Sequence, residues 1–107
     1  MSAHICIVLT SVDDIEAARA MARGLVEGGL AACVQISAAG ESWYRWRDAI
    51  RHETEFFLVV KTSAGLRKAA VAWLHERHPY ELPEIIWFSA DASPDYAAWL
   101  HDQLGEV

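Results

Sequence analysis

Two cysteines, three prolines and six glycines are all that the 107 residues contain. Cys6 and Cys33 are too few to make the disulfide framework of a small secreted fold. Basic residues are also scarce: nine Lys and Arg stand against fifteen Asp and Glu, a formal charge of −6. Free nucleic acid and anionic membrane surfaces are therefore poor partners. No apolar run nears the ~20 residues of a membrane span. The first residues have neither the basic region nor the long apolar core of a signal peptide, so the expected location is the cytoplasm. There is no nucleophile–base pair, no phosphate-cradling glycine loop and no pair of carboxylates in tuned surroundings. Enzyme is thus the weaker class, and no organic cofactor is expected.

The chain is 53% hydrophobic and 22% charged, the composition of one globular domain over residues 1–107. At this size it buries roughly 65% of its unfolded surface. His4 to Thr10 is a β-branched run, apolar at consecutive positions, as in a strand covered on both faces. Ser11, with Asp14 three residues on, reads as a capping box. Ile15, Ala18, Ala22, Leu25 and Val26 then repeat at helical spacing, and Gly28-Gly29 ends the helix. A second strand carries Ala32 to Ile36, is interrupted at Gly40 as by a bulge, and resumes over Ser42 to Trp46. Arg47-Asp48-Ala49 is a tight turn into a long third strand, Ile50 to Thr62.

Thr62 or Ser63 is expected to cap a second helix with Leu66, Ala70, Trp73 and Leu74 inside. A fourth strand spans Ile85 to Phe88, and Ser93-Pro94-Asp95 starts a terminal helix. The order β-α-β-β-α-β plus a helix predicts an α+β, ferredoxin-like split βαβ fold with an antiparallel sheet. Right-handed crossovers place both main helices on one face of that sheet. The other face is apolar too, and one short helix is too small to cover it. A second copy of the chain is the simplest cover. Strands one and two are separated by strand three in this order, so a Cys6–Cys33 bridge is not expected.

The stiffest stretch is His78-Pro79-Tyr80-Glu81-Leu82-Pro83-Glu84. Each proline fixes its own φ and pushes the residue before it out of helical conformation. Such a loop costs little entropy to order. It carries three groups that can bind or ligate: His78, Tyr80 and Glu84.

Leu30-Ala31-Ala32-Cys33-Val34, Tyr44 and Trp46 before the turn, Lys61-Thr62, His78 to Ile85, and Asp95-Tyr96 with Trp99-Leu100 together resemble the CutA family of divalent-cation tolerance proteins. The resemblance covers nearly the whole chain. It implies a ferredoxin-like subunit, a homotrimer, and an extended hairpin reaching from one subunit to the next. It also implies an association with copper and other divalent metals, and an architecture similar to the PII signalling trimers. Gln35 stands where the family usually has asparagine, and Asp48 where its hairpin often has glycine.

Cys33 is a soft ligand suited to copper(I), but among small apolar residues it reads first as a structural thiol. His78 and Glu84 would both suit copper(II) or another divalent cation, and they equally suit a loop fixed by hydrogen bonds and packing. Lys61, with Tyr80 and Gln35, is the candidate set for an intersubunit cleft. Trp43, Tyr44 and Trp46 alternate with Arg45 and Arg47. Such interleaving can bind nucleic acid, but the negative net charge favours aromatics docked on a neighbouring subunit. The expected function is a non-enzymatic homotrimer that binds a divalent cation, copper(II) first. Its rivals are a PII-like sensor taking a small anionic metabolite at Lys61, and a structural partner protein without a ligand.

Overall fold

The ladder between the first strand and the long central strand sets the frame. The computed structural model describes residues 3–106. The elements are β1 (His4–Val12), α1 (Ile15–Glu27), β2 (Cys33–Ile36), β3 (Gly40–Trp46), β4 (Ala49–Thr62), α2 (Arg67–Arg77), β5 (Ile86–Asp91) and α3 (Pro94–Gln103). The sheet order is β2-β4-β1-β5, antiparallel at each pairing, and β3 pairs with the first half of β4. This is the ferredoxin-like plan, with its second strand divided into β2 and β3.

β1 is central, and its apolar residues serve both faces. Val8 and Val12, with Leu58 and Val60 of β4, pack on Ala18, Met21 and Leu25 of α1 and on Ala70 and Leu74 of α2. Ile5 and Ile7 point the other way and pack on Ala97 and Leu100 of α3. Their row continues through Ile7↔Phe88 and Leu9↔Ile86, past the reach of α3. Ile86 is 50% exposed and Phe88 47%. The terminal helix thus covers one end of the second face and leaves the rest open. Both cysteines are free, with β4 between their strands.

Several boundaries differ from the sequence expectation, each for a local reason. Ser11 does not cap α1. β1 continues to pair with β4 through Ser11↔Phe57 and Val12↔Phe56, so the helix starts later. Its cap is Asp14, which accepts from the Ala17 N–H at 2.9 Å. Met21 replaces Val26 on the buried stripe, because the helix turns residues 18, 21 and 25 inward and leaves Val26 exposed. α2 begins at Arg67 rather than at Thr62 or Ser63; Ser63 instead closes the turn before it, its Oγ accepting from the Leu66 N–H at 3.2 Å.

The interruption of the second strand is longer than a bulge at Gly40. Residues 37–39 leave the strand, while Ser37 keeps two hydrogen bonds to Phe57: its N–H donates to the Phe57 carbonyl and its Oγ accepts the Phe57 N–H, both at 2.9 Å. The hairpin turn is two residues, Arg47 (φ 49) and Asp48 (φ 65), between the paired Trp46 and Ala49. Two positive φ values in succession are the type I′ geometry that matches strand twist.

Gly24 tests how tightly α1 meets α2. A Cβ there would lie 2.5 Å from Cζ2 of Trp73. Gly24→Ala gains about 1 kcal/mol of helix propensity. Overpacking costs about 1–3 kcal/mol. The expected net effect in urea unfolding is destabilisation. In the background Trp73→Phe, which clears the space, the same Gly24→Ala change is expected to stabilise.

Candidate functional site: an acidic groove beside the proline loop

The loop is anchored through one ring. α2 ends at Arg77, and His78 takes extended dihedrals (φ −70, ψ 134) under the constraint of Pro79. The buried imidazole turns back on β1. Nε2 lies 2.9 Å from the Ser11 carbonyl, and Nδ1 accepts the Tyr80 N–H at 3.2 Å. With Nδ1 an acceptor, the proton sits on Nε2 and donates to Ser11. Burial pushes the His78 pKa below its ordinary value, although the Ser11 carbonyl, Glu55 and Asp13 pull the other way.

Tyr80 extends the arrangement. Its ring meets that of His78 edge-on, with centroids 4.8 Å apart. Its hydroxyl donates to Glu55 Oε2 at 2.6 Å, and Ser11 Oγ donates to Glu55 Oε1 at 3.2 Å. Burial first, then the bond to Glu55 and its charge, hold the Tyr80 phenol protonated well above the usual range. Glu55 is only 6% exposed. Among the described residues no Lys or Arg reaches it within ion-pair distance.

Glu55 lies at one side of a groove of about 750 Å³. One wall is the face of the β3–β4 hairpin that carries Tyr44, Trp46, Arg51 and Glu53, and the other is loop residues 80–84. Asp13 lies at the β1 end. Five acidic residues border this space against two basic ones, Arg45 and Arg51. An ion pair at 3.6 Å, Arg47 Nη2 to Glu81, links the hairpin tip to the loop.

The structure brings together only some of the residues singled out in the sequence. Tyr80, Glu84, Trp43, Tyr44 and Trp46 line the groove. Trp43 is 63% exposed and stacks on His52, with centroids 4.4 Å apart. Cys33, Gln35 and Lys61 lie elsewhere. Cys33 pairs with Lys61 and Gln35 with Val59. Lys61 Nζ lies 5.7 Å from the Tyr96 ring centroid. Lys61 is four residues along β4 from Phe57, the partner of Ser11, so the Cys33 end is ~13 Å away. Glu55 was not singled out, and Ser11 was read only as a helix cap, yet the two meet at the inner end of the groove. The available signal was the alternation Arg51, Glu53, Glu55, three charges on one face of a strand that then turns apolar.

A resident metal does not fit the ligand set expected from sequence. Both nitrogens of His78 are occupied, Cys33 is remote, and among the described residues no three His, Cys, Asp or Glu side chains converge. A second polar cluster, Ser63, Glu106 and His101, has the carboxylate in the middle. Ser63 Oγ donates to Glu106 Oε2 at 2.8 Å, and His101 Nδ1 lies 2.9 Å from Oε1. The imidazole is thus not placed to take a proton from the hydroxyl, as an activated serine requires. His101 Nε2 reaches the His4 carbonyl at 3.2 Å.

The chain is a ferredoxin-like α+β domain with one sheet face partly open and an acidic groove beside a proline-stiffened loop. The profile of the CutA1 divalent ion tolerance protein family matches residues 6–103, and the chain belongs to that family. It is 36% identical over 100 residues to the divalent-cation tolerance protein CutA of Thermus thermophilus, covering 92% of this chain and 97% of that one. It is 34% identical over 105 residues to a CutA homolog of Danio rerio, covering 97% of this chain and 70% of the relative. The solved structure of CutA from Synechococcus elongatus superposes with a TM-score of 0.90 at 39% identity, covering 96% of this chain and 92% of that one. No helix among the described residues is long and apolar enough to cross a membrane.

Two hydrogen-bonded imidazoles, the buried His78 and the half-buried His101, act oppositely on stability. For His78 the folded pKa is lowered, so the unfolded chain binds more protons and stability falls as pH drops below ~6.5. For His101 the folded pKa is raised, chiefly by the bond to Glu106, so its contribution is present in acid and lost as pH rises through the folded value. His78→Gln keeps an N–H for Ser11 but no titrating ring. In urea unfolding at about pH 7 and pH 5, the parent is expected to lose more stability on acidification than His78→Gln. Equal losses would remove His78 from this account.

Proposed function

We propose that the chain works as a non-enzymatic, cytoplasmic homotrimer that captures divalent cations, copper(II) first, at the carboxylates of the groove. The observation that carries this reading is the charge of the lining, five acids against two bases. Carboxylate oxygens take divalent cations, and among first-row metals copper(II) binds a given site of this kind most tightly. Glu53 and Glu84, exposed in the lining, are the proposed first ligands, with further donors supplied from an adjacent subunit. His78 keeps the role of anchor, since ligation would break a hydrogen bond that holds the loop. The PII-like alternative, an anionic metabolite held by Lys61, is less well supported, because Lys61 lies outside the groove.

Assembly follows from the open sheet face. Ile86 and Phe88 continue the row of Ile5, Ile7 and Leu9 beyond α3. Soluble monomers avoid leaving such rows uncovered. The number three comes from the family resemblance. Trp43, Tyr44 and Trp46 on the hairpin supply the proposed second contact.

Two measurements test these points. Light scattering is expected to give about three times the 11.9 kDa chain mass at micromolar concentration. Phe88→Lys, which places a charge in the proposed dry interface, is expected to lower that mass to the monomer or abolish soluble expression. A monomeric parent with a cooperative unfolding transition would overturn the trimer. Copper(II) is expected to quench tryptophan fluorescence saturably. Glu53→Gln with Glu84→Gln should weaken that binding by about tenfold or more, and His78→Gln should leave it nearly unchanged.

A further inference from the structure

We propose that the imidazole of His101 is a proton-operated latch that fastens the turn after α3 to the entrance of β1. The inference is independent of the groove and of any cation bound there. It starts from how α3 ends. The Leu104 cap is followed by Gly105 at φ 73. The Gly105 N–H donates to the Asp102 carbonyl at 3.0 Å, and the Glu106 N–H donates to the His101 carbonyl at 2.8 Å. That pair of bonds is a Schellman turn, which folds the residue after the glycine back over the residue three places before the cap. An apolar contact often joins those two positions. Here they are Glu106 and His101, an acid and an imidazole 2.9 Å apart.

The two partners of the ring decide its protonation. Nδ1 faces Glu106 Oε1 at 2.9 Å, and Nε2 faces the His4 carbonyl at 3.2 Å. Both are acceptors. A neutral imidazole has one N–H, so it can satisfy one of them while its other nitrogen turns a lone pair toward an oxygen. Only the imidazolium donates to both. His78 is the opposite case, since one of its nitrogens accepts an N–H. Position agrees with the charge, because His101 lies in the last turn of α3, where the helix dipole favours a cation. The bond to Glu106, set against partial burial, holds the folded pKa above its ordinary value. From β1 the ring meets the His4 backbone, and the His4 ring itself pairs with Asp91 of β5 at 2.7 Å. From the turn before α2 comes Ser63, which is neutral and bonds Glu106 Oε2 without needing the imidazole proton. Loss of that proton therefore opens the tie to β1, the longer of the two bonds, while Ala97 and Leu100 keep α3 seated on Ile5 and Ile7. The latch is closed in acid and opens as pH rises through the folded pKa.

NMR of the whole protein tests this, following the His101 ring by its C–H titration and the backbone by amide hydrogen exchange. The ring is expected to titrate above the ~6.5 of an ordinary histidine, and Glu106→Gln is expected to lower that midpoint. Two amides report on the latch: Glu106, bonded to the His101 carbonyl, and Ala92, bonded to the Ala3 carbonyl beside the entrance of β1. Their protection, corrected for the intrinsic pH dependence of exchange, is expected to fall severalfold as pH rises through the His101 midpoint. The Ser37 amide, bonded to Phe57 at the far end of β2, should change much less. His101→Gln should abolish the fall at Glu106 and Ala92, and His4→Gln should keep it. A His101 midpoint at or below ~6.5 would overturn the latch without any variant. An equal fall at Ser37 would also overturn it, because the proton would then act on global stability alone. A fall that persists in His101→Gln, or vanishes in His4→Gln, would assign it to another group and overturn the inference as well.

Discussion

The imidazole of His78 donates to the Ser11 carbonyl with one nitrogen and accepts the Tyr80 amide with the other. The groove is placed relative to that ring. Without it, the loop after α2 would keep its two proline φ angles and the contacts of Tyr80 and Glu81, but lose its tie to β1. With it, Tyr80 is set at the depth where its hydroxyl meets Glu55, and Ser11 is held so that its own hydroxyl meets the same carboxylate. Both bonds exist only for a neutral ring with its proton on Nε2, so burial, by disfavouring the charged form, reinforces the geometry it belongs to.

The sheet supplies the other side of the site. β4 is 14 residues long and pairs with β2 and β1 over its second half and with β3 over its first. That length carries one alternation of side chains from the core out into the hairpin. Lys61, Val59, Phe57, Glu55, Glu53 and Arg51 therefore share a face, and its character changes from apolar to charged along one strand. The apolar part meets the open region around Ile86 and Phe88. The charged part becomes the groove wall. The open apolar surface and the charged groove wall thus draw on consecutive stretches of one strand.

Much of the fold is written in local chemistry. The βαββαβ order, the Gly28-Gly29 stop, the Ser93-Pro94 start and the proline loop each rest on dihedral preference or periodicity within a few residues. Boundaries shifted where a long-range partner outweighed a local signal: pairing to Phe57 and Phe56 kept Ser11 and Val12 in β1. The site was less legible for the same reason. Tyr80 and Glu84 stood out because the prolines frame them. Glu55 did not, because its role depends on Ser11 and Tyr80, 44 and 25 residues away in sequence. His78 looked like a ligand because sequence shows its chemistry but not that both nitrogens are spent.

The cluster of His101, Glu106 and Ser63 has a topological consequence. It ties the last described residues to the start of α2 through Ser63 and to β1 through the His4 carbonyl. The neighbouring Ala92 N–H reaches the Ala3 carbonyl at 2.7 Å. The chain is closed on itself like a ring with a clasp. Peeling α3 away loosens the entrance to β1, the most buried strand, at the same moment. The terminal helix therefore opens together with the central sheet instead of fraying on its own.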